Sequence, residues 1–282
     1  MNEPLTVTLW GVRGSIPAPG EQTVRYGGNT PCVSVEWGDE RCLVLDAGTG
    51  IRALGGRLLG ESAEIHVILS HSHWDHIQGF PFFAPIYDRD RVVRMYPSPV
   101  DKGTLCSLIE QMDGAHFPIR AEELMGINEC ILTDPIDHMA QNGIRLSQIA
   151  LNHPGGACGY RVDDSGRRIV YMSDNELSPP SEPTTQWDQF VAFCLGADVL
   201  IHDAQYLPED MPRKHGWGHS VVDQVLRLAA EAEVKRLVLF HHDPERTDDQ
   251  LDAIEAQAQD WCRENAPATE CCVGAEGMTF TL

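Results

Sequence analysis

The chain is poor in basic residues: 21 Lys and Arg stand against 42 Asp and Glu, a formal charge of −21 with His neutral. A surface of that sign repels phosphate backbones at long range, which disfavours a nucleic-acid polymer as substrate unless a local basic pocket overrides the average. Long apolar runs are also missing. No stretch approaches the roughly 18 uninterrupted apolar residues of a membrane helix. Residues 1–15 hold neither a basic leader nor a sustained apolar segment, so no signal peptide is expected. Nor is there a cysteine framework, since nine Cys lie scattered and Cys271-Cys272 are adjacent rather than spaced as Cys-x-x-Cys. Buried or free thiols in a reducing cytoplasm are expected. No low-complexity linker, short repeat or composition shift divides the 282 residues. One layered α/β domain over 1–282 is the economical expectation, with the proline-rich stretch 179–183 as a surface connection.

What the chain does have is short apolar runs that end in polar residues. Strands are expected at 5–10, 32–37, 42–45, 65–69, 92–96, 144–151, 158–162, 169–172, 199–201, 236–240 and 278–282. Helices are expected at 51–59, 105–112 and 249–262. A further helix begins at Ser220, read as an N-cap with Asp223 three residues on and Val221, Val222, Val225, Leu226 and Ala229 as the apolar face.

Twelve His is a high count, and their placement carries the information. The strand at 65–69 runs into His71-Ser72-His73-Trp74-Asp75-His76. Strand alternation would point His71 and His73 one way, and the following turn would bring Asp75 and His76 to a second position. That arrangement suits two metals a few Å apart. Imidazole and carboxylate donors favour zinc, with manganese or iron as competitors.

The hexad resembles the signature of the metallo-β-lactamase superfamily, which implies a four-layer αββα sandwich with two divalent metal ions at one edge. By that resemblance His153, in Asn152-His153-Pro154, is the third ligand of the first metal, and Asp174, in Tyr171-Met172-Ser173-Asp174, bridges both. His241 is the last ligand of the second metal, with His242 the alternative. Asp46, in Leu45-Asp46-Ala47-Gly48-Thr49-Gly50, orients a ligand histidine. The metal set is therefore His71, His73, Asp75, His76, His153, Asp174 and His241.

Residues 199–246 resemble the RNase Z-like phosphodiesterase branch of that superfamily. His202-Asp203-Ala204-Gln205 stands for its His-Glu-Ala-Thr motif, and Gly218-His219-Ser220-Val221 for its Gly-His-Ser-Thr motif. Gly11-Val12-Arg13-Gly14-Ser15 resembles its opening glycine-rich turn, while Ala204-Gln205 and the loop 26–30 mark a separate subgroup. His219, just before a helix whose free N–H groups favour an anion, would be held or kept cationic by Asp203 and would stabilise the phosphate's developing charge or protonate a leaving alkoxide. His219, Asp203 and Asp75 are the catalytic candidates. Only residues 154–173 separate His153 from Asp174, too few for the tRNA-gripping arm of many such nucleases, which points to the small-molecule members.

The expected function is hydrolysis of a small, cyclic phosphodiester, a cyclic nucleotide or cyclic ribose phosphate, by hydroxide held between two ions. Arg13, read as an exposed turn residue, is a possible phosphate contact. Trp187, Trp217, Tyr206 and Phe117 are candidates for a base-stacking pocket. Residues 97–136 would cap the site or build a homodimer, as related members often form. The rivals are a tRNA 3′-processing ribonuclease, a lactone or thioester hydrolase with the same metal pair, and a metal-stabilised binding module.

Overall fold

Parallel strands covered on both faces must be apolar along their whole length. The innermost strands satisfy this: residues Val199–Asp203 are buried at every position, and Glu64–Ile68 and Arg236–Phe240 at all but the first. The computed structural model describes residues 4–38, 40–96, 98, 100, 107–124, 127–131, 135–141 and 143–282. Its first half runs β1 (Leu5–Gly11), β2 (Cys32–Trp37), β3 (Arg41–Leu45), α1 (Ile51–Leu58), β4 (Glu64–Ile68), α2 (Trp74–Ile77), β5 (Val92–Tyr96), α3 (Ser107–Glu110), β6 (Ile127–Cys130) and α4 (Pro135–Gln141). The second half runs β7 (Leu146–Leu151), β8 (Ala157–Asp164), β9 (Arg167–Met172), α5 (Trp187–Cys194), β10 (Val199–Asp203), α6 (Val222–Glu231), β11 (Arg236–Phe240), α7 (Asp248–Asn265), β12 (Glu270–Val273) and β13 (Thr279–Thr281).

One sheet has the order β13-β1-β2-β3-β4-β5-β6 and the other β12-β11-β10-β9-β8-β7. Both sheets repeat one wiring. Three antiparallel strands (β1 to β3, β7 to β9) lead into three parallel ones (β4 to β6, β10 to β12). The core divides in the same way. Leu9, Val35, Tyr160 and Phe240 pack between the sheets, Leu54, Val67 and Phe83 between the first sheet and its helices, and Phe190, Val225 and Leu251 between the second sheet and its helices. This is the expected αββα sandwich. The carboxyl ends of β3, β4, β9, β10 and β11 supply the site, as the crevice beyond parallel strand ends does in other open α/β sheets.

The departures from the sequence expectation are local. Helix α6 starts after an N-cap at Val221, not at Ser220. The Ser220 hydroxyl is engaged elsewhere, donating to the Asn175 carbonyl at 2.5 Å and accepting from Leu177 N at 3.2 Å. Helix α7 is longer than expected because Thr247 caps it, accepting from Gln250 N. Strand β12 splits the adjacent cysteines between faces, with Cys271 on the helix side and Cys272 toward the other sheet. Of the helix expected at 105–112, α3 realises Ser107–Glu110, while 105–106 lie outside the described residues. Within 97–136, positions 97, 99, 101–106, 125–126 and 132–134 also lie outside them. Phe117, Ile119 and Leu124 of that segment pack on the outer core of the first sheet. Among the described residues, no helix is long and apolar enough to cross a membrane.

Candidate metal centre and active site

Three strand ends place a side chain within two residues of the strand by turning the backbone left-handed. Asp46 after β3 has φ 63°, Asp174 after β9 has φ 55° and His241 after β11 has φ 60°. Such a conformation costs a non-glycine residue on the order of 1–3 kcal/mol and clusters at functional sites. Here all three side chains converge on one cluster. His71 and His73 reach it by a different route from the one expected. Strand β4 ends at Ile68, so a loop and not strand alternation brings them together, with His73 as N-cap of α2 and Asp75 and His76 on that single turn.

Two donor sets share Asp174: His71, His73, His153 and Asp174 in one, Asp75, His76, Asp174 and His241 in the other. The Asp174 carboxylate divides between them. Its Oδ2 lies 3.7 Å from His71 Nε2 and 3.8 Å from His153 Nε2, and its Oδ1 lies 3.1 Å from His76 Nε2 and 3.0 Å from His241 Nε2. Asp75 Oδ2 stands 3.4 Å from His76 Nε2 and 3.3 Å from His241 Nε2. Donors on a tetrahedral zinc with bonds of about 2.1 Å are roughly 3.4 Å apart, so both sets have the spacing of an ion's corners. The imidazoles have donor atoms to spare. His71 Nε2 and His76 Nε2 are buried without a hydrogen-bond partner, which is costly unless something else binds them. The residues therefore fit a pair of ions. The first set opens to solvent at His73, and the second is wholly buried.

Surrounding groups fix each ring. Asp46, fully buried, accepts from His76 Nδ1 at 2.8 Å, from Ser70 N and Oγ at 2.7 and 2.8 Å, and from the Tyr171 hydroxyl at 2.7 Å. His153 Nδ1 donates to the Gly218 carbonyl at 3.0 Å, and His241 Nδ1 to Gln205 Oε1 at 2.8 Å. Ser15 N donates to Asp75 Oδ2 at 2.7 Å. Gly14 must lack a side chain, because a Cβ there would lie 2.4 Å from His241 Nδ1. Burial, then its imidazole neighbours, hold His71 well below the usual histidine range. Burial opposes ionisation of Asp174, yet His241, His76 and His71 keep its carboxyl well below the usual range.

Beside this cluster, His219 Nδ1 donates to Asp203 Oδ2 at 2.7 Å. Asp203 is fully buried and also accepts from Gln205 N and Asn175 N. Burial works against a charge on His219, but Asp203, with Asp174 and Asp75 behind it, raises its pKa to about 9. The ring stacks on His241 at 5.0 Å between centroids and meets Tyr206 edge-on. A pocket of about 610 Å³ lies over the cluster, lined by Ser15, Trp74, Asp75, His153, Trp217 and His219 among others.

Several sequence expectations change. His242 lies outside the cluster, since its Nε2 donates to the Gly274 carbonyl at 2.8 Å, whereas His241 lies within it. Arg13 is no exposed phosphate contact. It is fully buried, donating from Nε to the Gly27 carbonyl and from Nη1 to those of Asp243 and Arg246, because its turn packs between the β1–β2 connection and the loop after β11. The α6 N-terminus offers little to an anion, as Val222 N already bonds the Tyr206 carbonyl. Of the proposed stacking aromatics only Trp217 lines the pocket. Tyr206 is buried beneath His219, Trp187 packs under Arg227, and Phe117 packs edge-on to Phe82. Trp74, Gln205 and Glu176 carry site contacts that the sequence reading passed over. Trp74 and Gln205 sat inside quoted motifs, while nothing marked Glu176.

The class these features define is the metallohydrolase on a β-lactamase-type sandwich, a family that uses divalent metals. The model described as the Beta-lactamase superfamily domain matches residues 41–242, and the chain belongs to that family. Ribonuclease Z of Thermoplasma acidophilum is 39% identical over 95 residues, covering 32% of this chain and 28% of that enzyme. Ribonuclease Z of Natronomonas pharaonis is 25% identical over 283 residues, covering 84% of this chain and 86% of that one. The metallo-β-lactamase fold protein YhfI from Bacillus subtilis superposes with a TM-score of 0.68 at 20% identity, over 99% of this chain and 100% of that one. A diphosphatase of the PhnP family does so with 0.65 at 16% identity, over 99% and 97%. The structural likenesses carry the fold alone.

Proposed function

We propose that the chain, as one hydrolase domain over residues 1–282, is a dinuclear metal-dependent phosphodiesterase acting on a small, cyclic phosphodiester. The observation that carries this reading is a dyad, His219 on Asp203 at 2.7 Å, set beside a carboxylate, Asp174, shared by two donor sets. His71, His73, His153 and Asp174 would hold one ion, and Asp75, His76, Asp174 and His241 the other. Two divalent ions, zinc first by donor type and manganese or iron next, would supply Lewis acidity to the phosphoryl oxygens and acidify a water.

The chain's own residues supply the protons and the orientation. With Nδ1 tied to Asp203, His219 has Nε2 left for the pocket it lines. Held as a cation by Asp203, it can donate that proton to the alkoxide as the ester bond breaks. An alkoxide is a poor leaving group, so a phosphodiester gains from such a donor more than a thioester does. Asp46, Gln205 and the Gly218 carbonyl hold the ring orientations of His76, His241 and His153.

The β8–β9 hairpin supports a small substrate. The residues between His153 and Asp174 form this ladder and its turn at Ser165-Gly166, and no arm projects from it. A small diester is favoured over tRNA on that ground, and the formal charge of −21 argues the same way. The test offers zinc- or manganese-loaded protein bis(p-nitrophenyl) phosphate, cyclic nucleotides, a lactone, a thioester and a tRNA precursor. Turnover of the small phosphodiesters is expected. Turnover confined to the lactone or thioester overturns the phosphodiester reading, and efficient tRNA 3′ cleavage overturns the small-substrate reading.

A further inference from the structure

Two of the exposed large apolar side chains, Trp74 at 79% and Trp217 at 60%, line the pocket over the metal-ligand cluster. They come from opposite halves of the sandwich. Trp74 lies in the loop of the first half, between His73 and Asp75 at the start of α2. Trp217 lies in the second half, between Gly216 and Gly218. Its position is enforced from below. Gly216 N and Gly218 N each donate to Glu176 at 2.9 Å, one to each carboxylate oxygen. Glu176 is 2% exposed and stands two residues beyond Asp174. A buried carboxylate is costly and must be satisfied by donors. Here it is satisfied by the two amides that bracket one exposed indole. The strand end that supplies Asp174 therefore also sets where Trp217 stands.

We propose that Trp74 and Trp217 form a stacking clamp for the planar base of the substrate, so that the enzyme selects base-bearing phosphodiesters over base-free sugar cyclic phosphates. The inference rests on the phosphodiesterase reading above and narrows it. The pocket of about 610 Å³ falls within the roughly 300–1,000 Å³ of small-molecule sites. Of the remaining lining, Ser15, Ser72 and Pro154 lie outside the metal-ligand set and the dyad, so the two indoles are the large side chains left free to receive a substrate. A planar base presents a π-face to an exposed indole, whereas a base-free sugar presents none. Stacking accepts every base, because each has a π-face, so the clamp sets the class of substrate and not the identity of the base.

AMP and ribose 5-phosphate share a sugar and a phosphate and differ by the base. Each is titrated into zinc-loaded protein, read by tryptophan fluorescence and by competition with bis(p-nitrophenyl) phosphate hydrolysis. AMP is expected to bind roughly tenfold or more tighter and to quench emission. Trp74→Ala and Trp217→Ala each remove most of that advantage and leave ribose 5-phosphate within about twofold, and the Trp→Phe variants restore it. Both indoles are exposed, so these variants keep the core intact. Equal binding in the unmodified protein, or variants that weaken both ligands alike, overturns the clamp and leaves the phosphodiesterase reading standing. If neither ligand binds and bis(p-nitrophenyl) phosphate is not turned over, both fall.

Discussion

His76 gives its Nδ1 proton to Asp46 at 2.8 Å, which turns its Nε2 toward Asp174 at 3.1 Å. Asp46 also accepts from Tyr171 on the second sheet, so one carboxylate ties the two halves of the sandwich to one imidazole. Its Oδ2 takes three donors, from Ser70 Oγ, His76 and Tyr171, and its Oδ1 takes Ser70 N. An amide in its place would set an NH₂ group against one of those donors.

Asp46→Asn is therefore expected to weaken metal affinity by about 10–100-fold, the usual cost of losing the partner that orients a ligand histidine. Competitive titration against a chromophoric chelator reads this directly. Unchanged affinity would show that His76 keeps its orientation without the carboxylate.

The His219–Asp203 dyad predicts a pH signature. The folded chain holds the His219 pKa near 9, above the usual 6.5, because Asp203 outweighs the burial penalty. Its contribution to stability is thus complete below about pH 6.5 and is lost as pH rises through about 9. Melting curves of chelator-treated protein should show this loss, and His219→Gln should flatten it. In turnover, His219→Ala should lower kcat by about 10²–10⁴ with metal content unchanged, and less for substrates whose leaving group needs no proton. An equal loss on p-nitrophenyl and alkyl esters would remove the proton-donor role.

Most of the candidate cluster was legible in the sequence because its residues lie just beyond the ends of strands. The six-residue run at 71–76 announces itself, and His153, Asp174 and His241 each close a strand or the loop after it. What the sequence hid depends on side chains that meet across the fold. Arg13 looks like a surface turn residue until Gly27, Asp243 and Arg246 close around it. Ser220 has the pattern of a helix cap, but the Asn175 carbonyl, 45 residues away, takes its hydroxyl. Tyr206 does meet His219, but from beneath and out of the pocket, and Trp187 packs under Arg227. Helix α5 was missed despite apolar Trp187, Phe190, Val191 and Cys194 at helical spacing, and that signal was there to read.

Asp174 is the one residue common to both donor sets, so Asp174→Ala should abolish turnover and reduce bound metal from two ions per chain to one or none. Elemental analysis after exhaustive dialysis checks the stoichiometry. Chelation should act on the unmodified protein in the same direction. Activity is lost and returns with zinc or manganese, and the melting temperature falls because ions that bind only the folded chain stabilise it by mass action. A variant with two ions and full turnover would remove Asp174 from the site.

Adjacent histidines give the sharpest contrast. His241 Nε2 faces Asp75 and Asp174, while His242 turns the other way and donates to the Gly274 carbonyl. His241→Ala should lose an ion and activity, with a modest change in the melting temperature of the metal-free chain. His242→Ala should keep both ions but cost about 1–3 kcal/mol of stability, since a buried carbonyl loses its donor. A second readout separates them. Burial holds His242 near a pKa of 3, so the unfolded chain takes up a proton that the folded chain does not as pH falls from about 6.5. Stability contributed by the neutral ring is lost over that acid range, and His242→Ala should make unfolding less steeply dependent on pH there. His241→Ala losing no metal while His242→Ala loses it would reverse the assignment of the last ligand.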